Sequence, residues 1–198
     1  MKRFLVLIII CGTINVHAQN EKRNYLGGHV SFGKSNYSSD DRIGDAVNRD
    51  YTGINYFTFG FDYSHRDSGG FEVGTGISVT SNKMALVSNL MFAQNNKFKY
   101  DETLFIFSIP VNLKLHFLKY LFVGAGLSFN YHPRMGYTWG VGGKINIGAE
   151  YTFNSGISVS ISPEMQSNIL NLGSSPEGSI GTDKLTQKGI NIGLGYRF

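Results

Sequence analysis

From Asn24 onward, apolar and polar side chains alternate with a period of two along most of the chain. That period puts successive side chains on opposite faces of an extended strand. It predicts strands at roughly 24–36, 54–65, 70–81, 103–117, 120–131, 139–153, 156–170 and 188–198. Most reach the ~9–11 residues that a tilted strand needs to cross a bilayer, about twice the length of an ordinary globular strand.

The two faces differ in kind. In the second strand Phe57, Phe59, Phe61 and Tyr63 share one side, and Thr58, Gly60, Asp62 and Ser64 the other. Phe71, Val73, Ile77 and Val79 repeat the pattern in the third, Phe105 through Phe117 in the fourth, and Trp139 through Phe153 in the sixth. A barrel in water turns its apolar face inward and covers its outside with long solvated side chains. Here the polar face is mostly Gly, Ser, Asn and Thr, small enough for the narrow inside of an eight-stranded barrel. The bulky face therefore looks outward, into lipid.

Connection lengths alternate as well. "RDSGG", "LK" and "NS" are tight turns, whereas 37–53, 82–102, 132–138 and 171–187 are longer and polar. Short turns at one rim and long loops at the other are the plan of bacterial outer-membrane barrels. The fold class that follows is all-β, an eight-stranded antiparallel up-and-down transmembrane β-barrel. With the chain entering on the periplasmic side, Tyr63, Phe71, Phe117, Tyr151, Phe153, Tyr196 and Phe198 fall near one rim, and Phe57, Phe105, Tyr131 and Trp139 near the other, as two aromatic girdles. Pro110 and Pro163 interrupt strands, and each predicts a local bulge or bend.

The N-terminus changes the picture of where the chain works. Lys2 and Arg3 precede the apolar run "FLVLIIIC", and small and polar residues follow up to "VHA" before Gln19. This is the layout of a secretory signal, giving residues 1–18 as signal peptide, cleaved near Ala18/Gln19, and 19–198 as the barrel domain. Cys11 sits inside the apolar run after Ile10, which does not fit a lipoprotein site. Removing the leader removes the one cysteine, so neither disulfides nor thiolate metal sites are expected. The formal charge of +4 falls to +2 without Lys2 and Arg3, which gives no basis for nucleic-acid binding. Glycine, 25 of 198 residues, is about twice its usual share, consistent with a β composition.

Charged residues on the inward face are the candidate site. Asp62, Glu72, Lys114, His116, Glu150 and Arg197 fall toward the periplasmic end of the lumen, and Lys144 and Glu164 farther out. In a narrow, low-dielectric interior such charges must pair and hydrogen-bond. The expectation is a plug of salt bridges, with no catalytic, cofactor-binding or metal site and no cofactor. Asp40, Asp41, Asp45 and Asp50 lack the spacing of a calcium loop and are expected in a solvated loop. The Gly-x-Gly pairs at Gly74/Gly76, Gly124/Gly126 and Gly193/Gly195 lie mid-strand and are read as lumen packing, not as nucleotide signals. His29 and Ser31 share a face, a spacing similar to the His-x-Ser of outer-membrane lipid A deacylases, but on the first strand and without the flanking asparagine.

"FSIPVNLKLHFLKYLFVGAGLSFNY" (107–131) resembles the central hairpin of the small outer-membrane β-barrel family of Bacteroidota type, often called PorT-like. The matching positions are Ile109, Pro110, Leu113, Lys114, Gly124 and Gly126, and "GVGGKINIGAEYTFNSGISVSIS" (140–162) is similar to its later strands. The ending Ile190, Ile192, Leu194, Tyr196, Phe198 resembles the assembly signature of outer-membrane barrels, carried by Leu194, Tyr196 and Phe198. The resemblance implies an eight-stranded barrel. It also implies, through the family's namesake, a link to type IX secretion.

The expected function is a non-enzymatic integral outer-membrane protein with a structural or interaction role at the cell envelope. Its partners are outer-membrane lipids, the barrel assembly machinery during insertion, and other envelope or secretion proteins, with no nucleic acid. The alternatives are an accessory factor for secretion or envelope assembly, an outer-membrane lipid-modifying enzyme acting through His29 and Ser31, and a soluble lipocalin-like ligand-binding barrel.

Overall fold

The computed structural model describes residues 23–39, 47–90, 97–133, 138–171 and 182–198. They form eight strands: β1 (Asn24–Ser39), β2 (Val47–Arg66), β3 (Phe71–Leu90), β4 (Lys97–Phe117), β5 (Leu121–His132), β6 (Thr138–Thr152), β7 (Ile157–Asn171) and β8 (Thr182–Arg197). Each pairs antiparallel with the next, and β8 returns to β1, so the sheet is a closed barrel. The leader-like residues 1–18 and the acidic Asp40, Asp41 and Asp45 lie outside the described residues.

The faces are those expected of a barrel in lipid. Leu127 is 70 % exposed, Trp139 67 % and Ile77 63 %, while the inward Phe122, Ile106 and Leu185 are buried. A lipocalin-like arrangement would reverse these positions, and it is set aside on that ground.

Three turns close the short-turn rim. Asp67 Oδ1 accepts the backbone N–H of Phe71 at 2.8 Å, and Gly70 takes the left-handed backbone (φ 85°) that lets the chain reverse. Gly156 (φ 96°) does the same between β6 and β7. Between β4 and β5 that conformation falls on Leu118 (φ 59°), a strained place for a non-glycine residue.

At the opposite rim the strands outrun their expected ends. The β2–β3 ladder continues to Val47↔Leu90, the β3–β4 ladder to Asn89↔Lys97 and the β1–β8 ladder to Ser39↔Asp183. Much of 37–53, 82–102 and 171–187 is therefore strand rather than loop. Beyond the lipid no apolar face has to be kept, so alternation lapses while backbone pairing carries on. By contrast β4 loses its β5 partner after Phe107↔Tyr131, leaving the wall low at β5 and β6.

The prolines behave differently from expectation. At Pro110 the β3–β4 ladder passes from Thr75↔Val111 to Ser78↔Ser108, and at Pro163 the β6–β7 ladder passes from Asn146↔Glu164 to Ala149↔Ile161, with the pairs between missing. The register is the same on both sides of each gap, so neither proline makes the expected bulge. Each removes a donor from one ladder only. The carbonyl of Pro110 accepts the Thr75 hydroxyl at 2.9 Å, which satisfies a polar side chain on the lipid face. The one register shift among these ladders lies between Gly53 and Asn55, where Ile54 is the extra residue.

At the seam, Asn24 and Phe198 exchange backbone hydrogen bonds at 3.0 and 2.9 Å, and Gly27 stands opposite Gly195. Both glycines are bare because the Tyr25 ring folds across them. A Cβ on Gly195 would lie 2.5 Å from two Tyr25 ring carbons and 2.6 Å from the Leu26 carbonyl oxygen. Gly143 is the contrast, with nothing within 4 Å of an added Cβ. Gly195→Val should lower the fraction of compact, heat-modifiable barrel on a semi-native gel, by overpacking worth about 1–3 kcal/mol. Gly143→Val should leave that fraction unchanged, and equal behaviour of the two would contradict this account of the seam.

Candidate functional site in the lumen

Alternation in every strand delivers the expected charged residues to the inside. The structure gathers Glu72, Lys114, His116, Glu150 and Arg197 at the short-turn end and adds a member that sequence reasoning misses, Arg66. The turn-like "RDSGG" begins at Arg66, but β2 runs through it and its register places it opposite Glu72.

Glu72 is the hub. Its carboxylate accepts Ser64 Oγ at 2.8 Å, Arg66 Nε at 3.0 Å and Arg197 Nη2 at 2.6 Å, with Lys114 Nζ at 3.3 Å. Glu150 Oε1 accepts Arg66 Nη2 at 2.8 Å and Arg197 Nε at 2.9 Å. Two carboxylates thus lie between two guanidiniums, in a geometry suited to the planar arginine fork. Nε2 of His116 lies 2.7 Å from Arg66 Nη2. Since a guanidinium only donates, that imidazole nitrogen is the acceptor. Two rings cover the cations: Arg197 lies 5.3 Å from the Tyr25 ring centroid, and Lys114 Nζ lies 5.3 Å from that of Phe122.

Glu72, His116 and Glu150 each offer a ligand atom within 4.8 Å of the others, a donor set that could hold a metal ion. Arg66 and Arg197 already occupy those carboxylate oxygens, so an added divalent cation would sit against two fixed positive charges. The donor set therefore fits the arginines better than a metal.

Asp62 stands apart from this cluster. Its Oδ2 meets His29 Nδ1 at 2.5 Å, beside a cavity of about 40 Å³ that Lys114, Lys144, Asn112, Asn146 and Asn191 also line. Lys144 Nζ lies 3.9 Å from Glu164 Oε2, farther along the barrel as expected. Ser31 is turned to Asn191, whose Nδ2 donates to its Oγ at 2.7 Å. His29 and Ser31 therefore share the lumen face but bond to different partners.

Above the cavity lies a feature no sequence motif announces. Ser108 Oγ donates to Asn130 (2.7 Å), Asn130 to Asn168 (3.0 Å), Asn168 to Gln187 (3.3 Å) and Gln187 to Asn82 (2.7 Å). This one-directional chain of side chains ties together β4, β5, β7, β8 and β3, and such chains polarise cooperatively. Next come Tyr37, Met84, Leu104, Ile106 and Leu185, an apolar layer inside the barrel. The expectation of a polar, small-residue interior fails here. "LFIF" is apolar on both faces of β4, and its inward Leu104 and Ile106 pack into an apolar core.

An apolar lipid-facing wall around a filled, mostly polar interior defines a transmembrane β-barrel. The chain belongs to the outer membrane protein beta-barrel domain family, which matches residues 4–198. No curated protein is significantly similar in sequence. Among solved structures it is similar to the outer membrane protein OprG from Pseudomonas aeruginosa, at 13 % identity and a TM-score of 0.41 over 88 % of this chain and 94 % of that one. It is also similar to the beta domain of the Bordetella autotransporter BrkA, at 9 % identity and a TM-score of 0.34 over 89 % and 100 %. At these scores neither likeness bears on the site.

Glu72→Gln should destabilise the barrel by about 3–5 kcal/mol, because it strands Arg197 and Arg66 in a low-dielectric lumen. Lys144→Gln should cost less than Glu72→Gln, because it removes a single 3.9 Å contact and leaves the buried Glu164 still accepting from the Tyr56 hydroxyl at 3.3 Å. Urea unfolding in lipid vesicles, followed by tryptophan fluorescence, measures both.

Proposed function

We infer that the protein is a closed, non-enzymatic barrel of the outer membrane, whose lumen serves as its structural core and whose role at the cell envelope is carried by its outer surfaces. The observation that carries this reading is the continuity of the filling: ionic cluster, amide chain and apolar layer succeed one another along the axis. A conducting barrel of this strand number would need that filling removed. Inward orientation of His29 and Ser31 supports a non-enzymatic role, since a lipid substrate outside the wall does not meet either side chain.

Cleavage of a leader near Ala18/Gln19 and recognition of Leu194, Tyr196 and Phe198 by the assembly machinery belong to the same reading. So does the narrower PorT-like kinship suggested by 107–131 and 140–162. The tall wall formed by β2, β3 and β4 beside the low β5 and β6 gives the outer rim an unequal profile, which suits one-sided contact with an envelope partner.

Purified protein in planar bilayers should show no steady conductance, and a stable open-pore current would overturn the closed-lumen reading. A deletion strain should keep its lipid A and phospholipid profile while its surface composition changes. Altered lipid A acylation, restored by the wild-type chain but not by His29→Ala, would favour an enzyme.

A further inference from the structure

The outward face changes character around the barrel at the long-loop rim. On β4, β5 and β6 that rim carries aromatics: Phe107 lies 6.4 Å from Tyr131, and Tyr131 lies 5.1 Å from Trp139, between ring centroids. On β8 and β1 the apolar run stops instead at lysines. Ile192 and Ile190 give way to Lys188 and Lys184, and Phe32 gives way to Lys34, all three lysines exposed.

Lys34 and Lys188 are register partners across the seam, and Lys184 lies two repeats of the pleat farther out, opposite Ile169 of β7. Like charges directly opposed on one face of a sheet destabilise it unless something lies between them. Among the described residues nothing does so, for no ion pair there involves Lys34, Lys184 or Lys188. Height fits as well. From Asn24 to Lys34, a strand tilted as barrel strands are rises about 25 Å, the thickness of the apolar band. The lysines thus sit where headgroups begin, with stems on lipid and ammonium groups at the polar boundary.

We propose that Lys34, Lys184 and Lys188 form a docking surface for the phosphorylated saccharide headgroup of an outer-leaflet glycolipid. A phosphate placed between Lys34 and Lys188 cancels their repulsion and takes charge-assisted hydrogen bonds from both. The flanking Ile169 and Met165 of β7, with Ile190 and Phe32 below, offer an apolar bed to the acyl chains. Asymmetry follows: the aromatic half of the rim anchors the barrel in any bilayer, and the basic half selects an anionic lipid. This inference rests on the outer-membrane orientation argued above, with the long-loop rim outside.

The test is lipid retention by the whole barrel, refolded into phosphatidylcholine nanodiscs doped with a diphosphorylated diglucosamine glycolipid, its dephosphorylated counterpart, or phosphatidylglycerol, and read by native mass spectrometry. Wild type should retain the diphosphorylated glycolipid selectively. Each lysine removed should weaken retention roughly fivefold, so K34Q/K184Q/K188Q loses about a hundredfold. K119Q, in the turn at the opposite rim, should leave it unchanged. Equal retention by the triple variant overturns the proposal, and so does equal retention of the dephosphorylated glycolipid or of phosphatidylglycerol by wild type. Heat-modifiable migration establishes that each variant is folded; if the triple variant is not, K188Q alone decides, with a fivefold loss expected. Failure of wild type to insert would overturn the membrane reading together with this one, whereas insertion without selective retention overturns this one alone.

Discussion

Everything in this molecule depends on the closure of β8 onto β1. In hydrocarbon no water is available to an unpaired N–H or C=O, so a sheet in lipid is stable only without edges. The seam here runs from Tyr25↔Arg197 to Ser39↔Asp183 and is fixed at its base by the bonds between Asn24 and Phe198. Closure sets a narrow interior, and the narrow interior sets composition. Gly27 and Gly195 leave room for one ring, Tyr25, and that ring in turn covers the guanidinium of Arg197. Arg197 is thereby both a seam residue and a member of the ionic cluster, so closure and charge pairing stabilise each other.

The lumen does for this barrel what a hydrophobic core does for a soluble domain, with different materials. Lipid outside provides no driving force for bringing apolar strand faces together, so the interior must be held by polar bonds and close packing. Glu72 and Glu150 are each bonded to groups from several strands, and the chain from Ser108 to Asn82 crosses from one wall to the other. Such contacts join strands that are not neighbours in the sheet, which ladder bonds cannot do. Taking one away costs more than adding it contributes, because the abandoned partner remains buried.

The sequence made the wall legible and most of the filling illegible. Period-two alternation is a direct physical consequence of having lipid on one side, and it identified the eight strands, their facing and the inward position of Asp62, Glu72, Lys114, His116, Glu150 and Arg197. Where lipid ends, the pattern has no cause. The outer extensions of β2, β3, β4 and β8 accordingly look like loops in sequence. Arg66 was hidden for a similar reason, since the ladder carries it one residue past the point where turn-like composition begins. The amide chain needs the register as well as the facing, because Asn130 and Asn168 are far apart in sequence and meet only once β5, β6 and β7 are in place. Pro110 and Pro163 taken alone predict a distorted sheet. The structure instead absorbs each as a missing rung in one ladder, and only the register could reveal that.

A barrel filled in this way has little freedom left inside. The cavity beside Asp62 and His29, about 40 Å³, is close to the space of one or two water molecules, and the layers on either side of it are tied to several strands. Selection for a new role in such a protein meets strong resistance in the lumen and weak resistance on the rim, where substitutions touch neither ladder nor core. The uneven distribution of rim residues is therefore informative. Aromatics on β4 to β6 satisfy a demand common to all membrane barrels, whereas opposed lysines at the seam satisfy none that the barrel itself imposes. A feature that costs the isolated fold stability has its physical explanation outside the fold, and at this height the neighbouring chemistry is a lipid headgroup.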